Sequence, residues 1–285
     1  MPCVGKLTAI GLTAWVLTAF VQPTYAACDS TGLAAKYPSL VGRTIRLAQD
    51  GESPPYSYKD PDNFEVMRGV DYDLATATFT CLGMKTEIKL GKWSGLLPAV
   101  IAGQADVMWN NLYYTPVRAQ QVDFVTYLVA ATGGLVKAGN PKKIAALSDT
   151  CGMKGAAGLG TVEETLLRKT SDECVAAGKP PLEIATYPDK PSGTRLVLSG
   201  RADIMLSDGG FVGNMVKTDG TNFAQAFSIK SNFKVGPGIT RTIPELRQAI
   251  ADALAQLQAD GTVEATMAKH GVDPKLMLPV ESFTK

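Results

Sequence analysis

Residues Ala99–Trp109 read AVIAGQADVMW, and residues Leu196–Leu206 read LVLSGRADIML. The two stretches are identical at five aligned positions, Val100/Val197, Gly103/Gly200, Ala105/Ala202, Asp106/Asp203 and Met108/Met205. Each stretch joins an apolar helical pattern to a glycine and then to a short apolar run, which is the pattern of a buried strand. Chance similarity is the alternative for so short a match, but both copies hold the same place in their surroundings. The repeat predicts two similar α/β lobes.

Short β-like runs alternate with helical patterns around each copy, as in βαβ units built on a mainly parallel sheet. The first series predicts strands at 44–48, 86–90 and 105–109, and helices at 71–82 and 94–102. The second series predicts strands at 152–157, 182–187 and 202–206, and helices at 162–169 and 193–198. Two further helices are predicted at 242–257 and just before His270, which we expect to lie at the surface.

Polar residues follow the repeated strand in both series: Asn110 and Asn111 in the first, Ser207 and Asp208 in the second. In open α/β sheets, ligands bind outside the carboxyl ends of the strands. Two lobes that face each other at these ends would form a cleft with polar groups on both walls.

The N-terminus has the pattern of a secretory signal peptide over residues 1–26. Lys6 precedes the apolar run 7–21, and Thr24 and Ala26 provide small residues for cleavage after Ala26, with cleavage after Ala27 as the alternative. A membrane anchor is the other interpretation, but the run is shorter than the ~20 residues that a span requires. Without this segment the chain has 27 basic and 27 acidic residues, so no excess of positive charge favours nucleic acid or an anionic membrane.

Four cysteines remain after export, Cys28, Cys81, Cys151 and Cys174, an even number that suits an oxidising compartment. Three pairings are possible, and we favour Cys28 with Cys81 and Cys151 with Cys174 because this keeps each bridge inside one half of the chain. Lipidation of Cys28 is an alternative that the preceding residues do not favour. With no CxxC spacing and a single histidine, the sequence predicts neither a metal site nor a cofactor.

Several motifs in order resemble the amino-acid-binding class (family 3) of periplasmic solute-binding proteins, the receptors of ABC importers. They are Pro54-Pro55-Tyr56, GVDYDL at 69–74, KWSGLLPAVIA at 92–102, TPVRAQQVDF at 115–124, GTVEE at 160–164, SGRADIMLSD at 199–208 and Asp260-Gly261-Thr262. The resemblance runs from about Thr44 to Gly271. It implies an α/β fold of the two-lobed periplasmic-binding-protein (type II) clamshell kind, in which a central sheet flanked by helices forms each lobe.

The resemblance also implies where the lobes divide. Lobe one is expected to comprise 27–132 and 237–285, and lobe two to comprise 133–236. The hinge crossings are expected near 131–134 and 234–238, where Gly133-Gly134 and Gly236-Pro237-Gly238 occur.

Ten residues are expected to bind the ligand: Asp50, Ser53, Trp93, Asn110, Asn111, Tyr113, Arg118, Gly160, Thr161 and Asp208. The guanidinium of Arg118 suits a carboxylate, which it can bind through two parallel N–H donors. Thr161 opens a T-x-x-E capping box, and the free N–H groups of a helix N-terminus attract anions. Asp208 ends a buried strand, where a ligand ammonium would satisfy an otherwise unpaired carboxylate, and capping of a neighbouring helix is the alternative role.

Two positions depart from the family pattern. Tyr113 stands where relatives carry a small hydroxyl residue that contacts the ligand, and Ser53 replaces a frequent aromatic residue. Both departures predict a reshaped pocket. The ligand class is therefore better defined than the ligand itself.

The function implied is capture of an amino acid or related zwitterion in the periplasm by a monomer that docks on an importer permease. A sensing domain or an enzyme of the same fold, such as a dehydratase or lyase, is the alternative. An enzyme needs a general acid or base at the cleft. Only Asp50 and Glu52 are expected to be available there, with no histidine, cysteine or lysine, so the protein is expected not to be an enzyme.

Overall fold

The computed structural model describes Met1 and residues 28–284. The predicted signal peptide, apart from Met1, lies outside the described residues. In residues 28–284 no helix is both long and apolar enough to cross a membrane.

The first series of elements follows the predicted order and adds a three-stranded sheet, β2-β3-β4, after the first strand. Its members are α1 Ser30–Lys36, β1 Thr44–Gln49, β2 Glu52–Ser53, β3 Ser57–Lys59, β4 Met67–Arg68, α2 Val70–Cys81, β5 Lys85–Leu90, α3 Trp93–Ile101, β6 Val107–Met108 and α4 Pro116–Ala119. Strand β1 pairs in parallel with both β5 and β6. The strand predicted at 105–109 is shorter than expected, because only Val107 and Met108 pair with neighbouring strands.

The second series begins after a long strand, β7 Asp123–Lys137, and a short 3-10 helix, Leu147–Thr150. It contains β8 Lys154–Gly158, α5 Val162–Ala176, β9 Glu183–Tyr187, α6 Lys190–Leu198, β10 Ile204–Asp208, α7 Gly209–Thr218 and β11 Phe223–Val235. Strand β8 pairs in parallel with β9 and β10, so the predicted βαβ order is present here too. The sequence analysis expected crossings near 131–134 and 234–238, but it did not predict the lengths of β7 and β11, and it did not predict α7.

The chain then returns through β12 Gly238–Ile239, α8 Leu246–Ala259, α9 Thr262–Lys269, a 3-10 helix at Pro274–Leu276 and β13 Met277–Phe283. Helix α8 begins four residues later than the predicted start at Thr242. Pro244 explains the difference, because a proline disfavours helical backbone at the residue before it. His270 caps the end of α9, but its side chain is only 6% exposed and bonds to Asp73, so the expectation of a surface histidine is wrong.

The repeated motif has the same structure in both lobes. Gly103 and Gly200 each adopt a positive φ, of 73° and 71°, directly after α3 and α6. Asp106 then accepts a hydrogen bond from the backbone N–H of Arg46 at 2.8 Å, and Asp203 accepts one from Lys154 at 2.9 Å. Each aspartate therefore braces the start of the neighbouring parallel strand.

A ten-stranded sheet in the order β5-β1-β6-β12-β7-β10-β8-β9, with β11 and β13 also paired to β7, runs through both lobes. Strand β12 pairs antiparallel with the start of β7 at Phe124, and with β6. Strand β10 pairs antiparallel with the far part of β7, placing Asp208 opposite Thr132. Strand β6 therefore runs in the same direction as β7, and β10 runs in the opposite direction. The carboxyl ends of β6 and β10 consequently both point towards the middle of β7.

Buried apolar side chains form separate cores on the two sides of this crossing. Two clusters draw their buried members from Leu33–Ala130 and Val235–Val272, and two others draw theirs from Leu135–Phe223. The exact lobe boundaries stay a prediction.

Gly133 and Gly134, expected at a hinge, lie inside β7 and are tightly packed. A Cβ at Gly133 would lie 2.9 Å from Val212, and one at Gly134 would lie 2.9 Å from Ile204. Their lack of a side chain lets α7 and β10 approach the strand. A role in hinge motion stays a prediction.

Both disulfides form as predicted, Cys28 with Cys81 and Cys151 with Cys174. They close 53 and 23 residues of chain, respectively. Loop-closure entropy assigns a stabilisation of about 4 kcal/mol to the longer bridge and about 3 kcal/mol to the shorter one.

We expect the double serine variant at Cys151 and Cys174 to lower the free energy of unfolding by about 3 kcal/mol, and the variant at Cys28 and Cys81 by about 4 kcal/mol, because each frees the unfolded chain. Urea unfolding of both variants beside the parent measures this. A variant of either bridge that is as stable as the parent would contradict the assigned contribution.

Candidate functional site

One pocket lies between the lobes, and about 530 Å³ inside it, including open solvent at its mouth, is free of protein atoms. Seven of the ten predicted ligand-binding residues line it: Ser53, Trp93, Asn111, Tyr113, Arg118, Thr161 and Asp208. Ser207, which the sequence analysis expected on the cleft wall beside Asp208, also lines it. The wall contains nine further residues that the sequence analysis did not assign to the site: Gly158, Leu159, Val162, Glu163, Tyr187, Pro188, Asp189, Lys190 and Leu206. Tyr187 lies at the carboxyl end of a predicted strand, which was the signal available for it.

Arg118 is positioned by the short helix α4. Thr115 caps this helix and accepts a hydrogen bond from the Arg118 backbone N–H at 3.2 Å. The guanidinium donates to the Tyr113 carbonyl at 2.7 Å and across the cleft to the Gly160 carbonyl at 2.8 Å. Burial lowers the pKa of Arg118, and among the described residues no carboxylate pairs with it. A partly buried positive charge with spare N–H donors thus remains at the pocket wall.

Trp93 lies beside this cation. The Arg118 guanidinium is 5.7 Å from the centre of the indole ring, within range of a cation–π interaction. The indole N–H donates to the Asn110 carbonyl at 3.1 Å, which fixes the ring. The ring therefore contributes a flat apolar face to lobe one.

The N-terminus of α5 forms the opposite wall. Thr161 is its N-cap, as predicted, and accepts a hydrogen bond from the Glu164 backbone N–H at 3.2 Å. The Glu164 carboxylate accepts from Gly160 N–H at 2.8 Å, one residue before the partner that a capping box uses. The predicted cap is present with this shift, and the first turn of α5 faces the pocket.

Asp50, Asn110 and Gly160 do not line the pocket but hold residues that do. Asp50 accepts a hydrogen bond from the Ser53 hydroxyl at 2.5 Å, and its own N–H donates to the Asn110 side chain at 3.0 Å. Burial raises the pKa of Asp50. Direct ligand contact by these three residues stays a prediction.

Asp208 differs most from the sequence expectation. Its carboxylate forms an ion pair with Lys190 and accepts a hydrogen bond from Phe211 N–H at 2.7 Å as the cap of α7. The Lys190 ammonium lies 4.3 Å from the Phe211 ring centre. The expectations of an unpaired Asp208 and of a cleft without lysine were therefore wrong. The sequence Asp189-Lys190-Pro191 signals a helix start, with Asp189 as cap, and could have placed Lys190 at the cleft.

Glu163 is a buried acid of the wall, 5% exposed, in the first turn of α5. Burial, followed by the charge of Asp208, raises its pKa. The Thr132 hydroxyl donates to it at 3.4 Å. Burial raises the pKa of the neighbouring Tyr113 phenol, and the Glu163 charge raises it further.

Asn111 adopts a positive φ of 47° at the pocket wall, and Asp71 of the GVDYDL motif holds it there. Asp71 accepts hydrogen bonds from Asn111 N–H at 2.5 Å and from the Tyr127 hydroxyl at 2.6 Å. The Asn111 side-chain oxygen is buried and has no donor among the described residues. It is available to a ligand donor.

Two α/β lobes with a charged, largely buried pocket between them define a ligand-binding protein of the two-lobed periplasmic type. Residues 45–273 match the model of one family, and the chain belongs to that family, the bacterial extracellular solute-binding proteins, family 3. The predicted fold class and family are thereby confirmed.

Three proteins illustrate the similarity. The L-cystine-binding protein TcyJ of Escherichia coli is 28% identical over 227 residues, covering 79% of this chain and 82% of its own. An ancestral arginine-binding protein bound to arginine superposes with a TM-score of 0.72 at 28% identity, over 80% of this chain and 97% of that one. The ancestral amino acid-binding protein AncCDT-1, a precursor of cyclohexadienyl dehydratase, has a TM-score of 0.67 at 28% identity, over 84% and 99%.

Asp71 gives the lobe-one wall a dependence on pH. Burial raises its pKa from 3.8 to about 7, and the charges of Asp208 and Asp50 act in the same direction. The folded protein therefore retains a proton that the unfolded chain releases, so the stability from this group is present below pH ~4 and is lost as the pH rises to about 7.

We expect Asp71→Asn to remove this contribution. The free energy of unfolding of the variant, minus that of the parent, should increase as the pH rises from ~4 to ~7 and then level off, which urea unfolding at a series of pH values measures. Only the change of this difference with pH tests the assignment, because hydrogen bonds lost in the variant lower its free energy of unfolding by the same amount at every pH. A difference that does not change with pH would contradict the assignment.

Proposed function

We propose that this protein captures an amino acid or related zwitterion outside the cytoplasm and delivers it to the permease of an ABC importer. Arg118 carries the proposal, because it is a partly buried cation at the pocket wall without an ion-pair partner among the described residues. A ligand carboxylate would neutralise it through parallel N–H donors. Membership of the family, and relatives described as binding cystine or arginine, support a ligand of this class.

The opposite wall suits the rest of such a ligand. Acidic groups of lobe two, and the unsatisfied side-chain oxygen of Asn111, can accept hydrogen bonds from an ammonium. Trp93 and Tyr187 provide aromatic surface for the remainder of the molecule. Tyr113 fills space that a small residue leaves open in relatives, so the pocket is reshaped around the ligand.

We propose a receptor and not an enzyme. The curated relatives cited above are described as binding proteins, and AncCDT-1, although a precursor of a dehydratase, is itself described as an amino acid-binding protein. Glu163 and Lys190 are possible acid or base groups that the sequence analysis did not foresee at the cleft. Recovery of the bound amino acid unchanged after prolonged incubation is the expected result.

The setting follows from the same family. We propose export through the signal peptide at 1–26, a monomer in the periplasm, and docking on a membrane permease. The bridge between Cys28 and Cys81 uses the sulfur that a lipid anchor would require, which supports the unlipidated form.

Closure about β7 and β11 is the proposed mode of capture. The lobes are bridged by Arg118 to Gly160 and by Lys92, whose ammonium lies 3.1 Å from Glu52 of lobe one and 3.0 Å from Asp189 of lobe two. The exposed ion pairs of Lys92 contribute only about 0.2–1 kcal/mol each, so they permit opening.

We expect the unliganded protein to sample a more open form and to contract when an amino acid binds, because a zwitterion is held by groups on both lobes. Small-angle X-ray scattering with and without saturating amino acid measures the radius of gyration. An identical scattering profile at proven saturation would argue against capture by closure.

We expect Arg118→Ala to weaken binding at least thirty-fold, because removing one partner of a buried charge pair costs about 2–5 kcal/mol. A thermal-shift panel of the common amino acids and L-cystine identifies which ones bind the parent. At a thousand times its dissociation constant, a ligand adds about 4 kcal/mol of stability, which such a shift detects.

Arg201→Ala is the matched control, since Arg201 is an exposed arginine of lobe two. It should bind as the parent does. A parent that responds to no amino acid, or an Arg118→Ala variant that responds fully, would contradict the proposed function.

A further inference from the structure

A second gap between the lobes is separate from the pocket described above. Its lobe-one wall includes Tyr56, His270 and Val272, and its lobe-two wall includes Gly210 and Gly213 of α7. About 1030 Å³ inside it, including open solvent at its mouth, is free of protein atoms. We call this gap the rear groove. No described residue lines both the rear groove and the pocket.

Strand β7 separates the rear groove from the pocket. The Thr132 hydroxyl donates to Glu163 of the pocket wall, whereas Ala131, the preceding residue, lines the rear groove. Successive side chains of a strand point to opposite faces, so the two gaps lie on opposite faces of β7. A rotation about an axis through β7 that widens the pocket therefore narrows the rear groove.

The pairing of β7 is interrupted around Ala130. On one edge, β13 pairs with β7 up to Leu128 and β10 pairs with it from Thr132 onward, so among the described residues 129–131 have no strand partner there. On the other edge, residues 231–233 of β11 stand opposite Ala130 alone, between two shifted registers. A strand bends most easily where its ladder is interrupted, which places the axis of rotation here.

The lobes are joined across the pocket by Arg118 and Lys92, so this structure shows their closed arrangement. The rear groove is accordingly wide. Neither of its walls gives way easily, because His270 is held by Asp73 at 2.8 Å and because the neighbours of Gly210 and Gly213 in α7, Phe211 and Val212, lie in a buried core. A side chain that filled the groove would stop the two walls from approaching each other.

The two glycines of α7 differ in their surroundings. A Cβ at Gly210 would lie 2.5 Å from the Tyr56 hydroxyl oxygen, so a glycine is needed here, where the lobes touch. A Cβ at Gly213, one turn further along the helix, would meet no neighbouring atom within 4 Å. Glycine inside a helix is less stabilising than alanine, and the closed arrangement does not require it at position 213. An open arrangement with a narrowed groove does.

We propose that Gly213 keeps the rear groove clear when the lobes open, and that it thereby sets the affinity of the pocket for its ligand without contacting that ligand. The inference rests on the capture by closure proposed above. Opening carries α7 towards His270 and Val272, and a residue without a side chain at position 213 permits the full rotation. A larger residue there holds the lobes nearer to their closed arrangement.

Restricting the open form should raise the affinity, because a ligand held by groups on both lobes binds the closed form. The apparent dissociation constant equals the intrinsic constant divided by the fraction of protein in the binding-competent form. A competent form that is a minor state of the free protein is populated to about 10% or less. Populating it fully therefore tightens binding about tenfold or more.

The test is a series of increasing size at one position, Gly213→Ala, Gly213→Leu and Gly213→Trp, in the secreted protein without its signal peptide. The alanine variant controls for the advantage that any other residue has over glycine in a helix. Thr218→Trp is the matched control for bulk, because Thr218 is an exposed residue at the end of the same helix and does not line the rear groove.

Small-angle X-ray scattering without ligand should give a smaller radius of gyration for Gly213→Leu and Gly213→Trp than for the parent, approaching that of the liganded parent. Calorimetry with L-arginine, L-cystine and any other amino acid to which the parent responds should show binding about tenfold tighter in Gly213→Trp. Gly213→Ala and Thr218→Trp should match the parent in both measurements.

Two results would overturn the inference while leaving the proposed function intact. One is a parent that contracts when it binds an amino acid, together with unliganded Gly213→Leu and Gly213→Trp variants that keep the radius of the unliganded parent. The other is weaker binding by both variants when thermal unfolding shows that they are folded. A parent that responds to no amino acid overturns the proposed function, and the scattering series without ligand then decides the inference on its own.

Discussion

Strand β7 is shared by both lobes, and the arrangement of the site depends on this sharing. Its start pairs with β12 and β13, and its far part pairs with β10 and β11. Strand β6 has the same direction as β7, and β10 has the opposite direction. The carboxyl ends of β6 and β10, the two repeated strands, therefore both point towards the middle of β7. Asn111 and Asp208 therefore reach one pocket from distant parts of the sequence.

Several charged side chains of this pocket are largely buried, and a buried charge needs a partner. The protein supplies partners for Asp208 and Asp189 from its own lysines, whereas Arg118 has no ion-pair partner within residues 28–284. This selective matching turns a generic cleft into a site for a ligand of defined charge pattern. It also explains why contacts between the lobes alone do not satisfy the site.

The lobes and most of their elements were predictable because their signals are local. Hydrophobic periodicity, the Gly103 and Gly200 turns and the Thr161 cap each depend on a few neighbouring residues. Crossings near 131–134 and 234–238 were expected, but the full lengths of β7 and β11 were not, because the pairing partners of these strands lie far away in the sequence. The same reason hid Lys190, because its pairing with Asp208 across 18 residues depends on how α6 packs on β10. The burial of His270 against Asp73 across 197 residues also required the tertiary fold.

The routing of the chain through β7 also sets the order in which the two halves can be assembled. Lobe two is continuous in sequence, and its two cores and its disulfide use only residues between Leu135 and Phe227. Lobe one lacks α8, α9 and β13 until the last part of the chain has arrived, and α8 and α9 supply Ile250, Leu254 and Val263 to its main core. On a chain that emerges from its N-terminus, the half that begins first is consequently the half that is finished last.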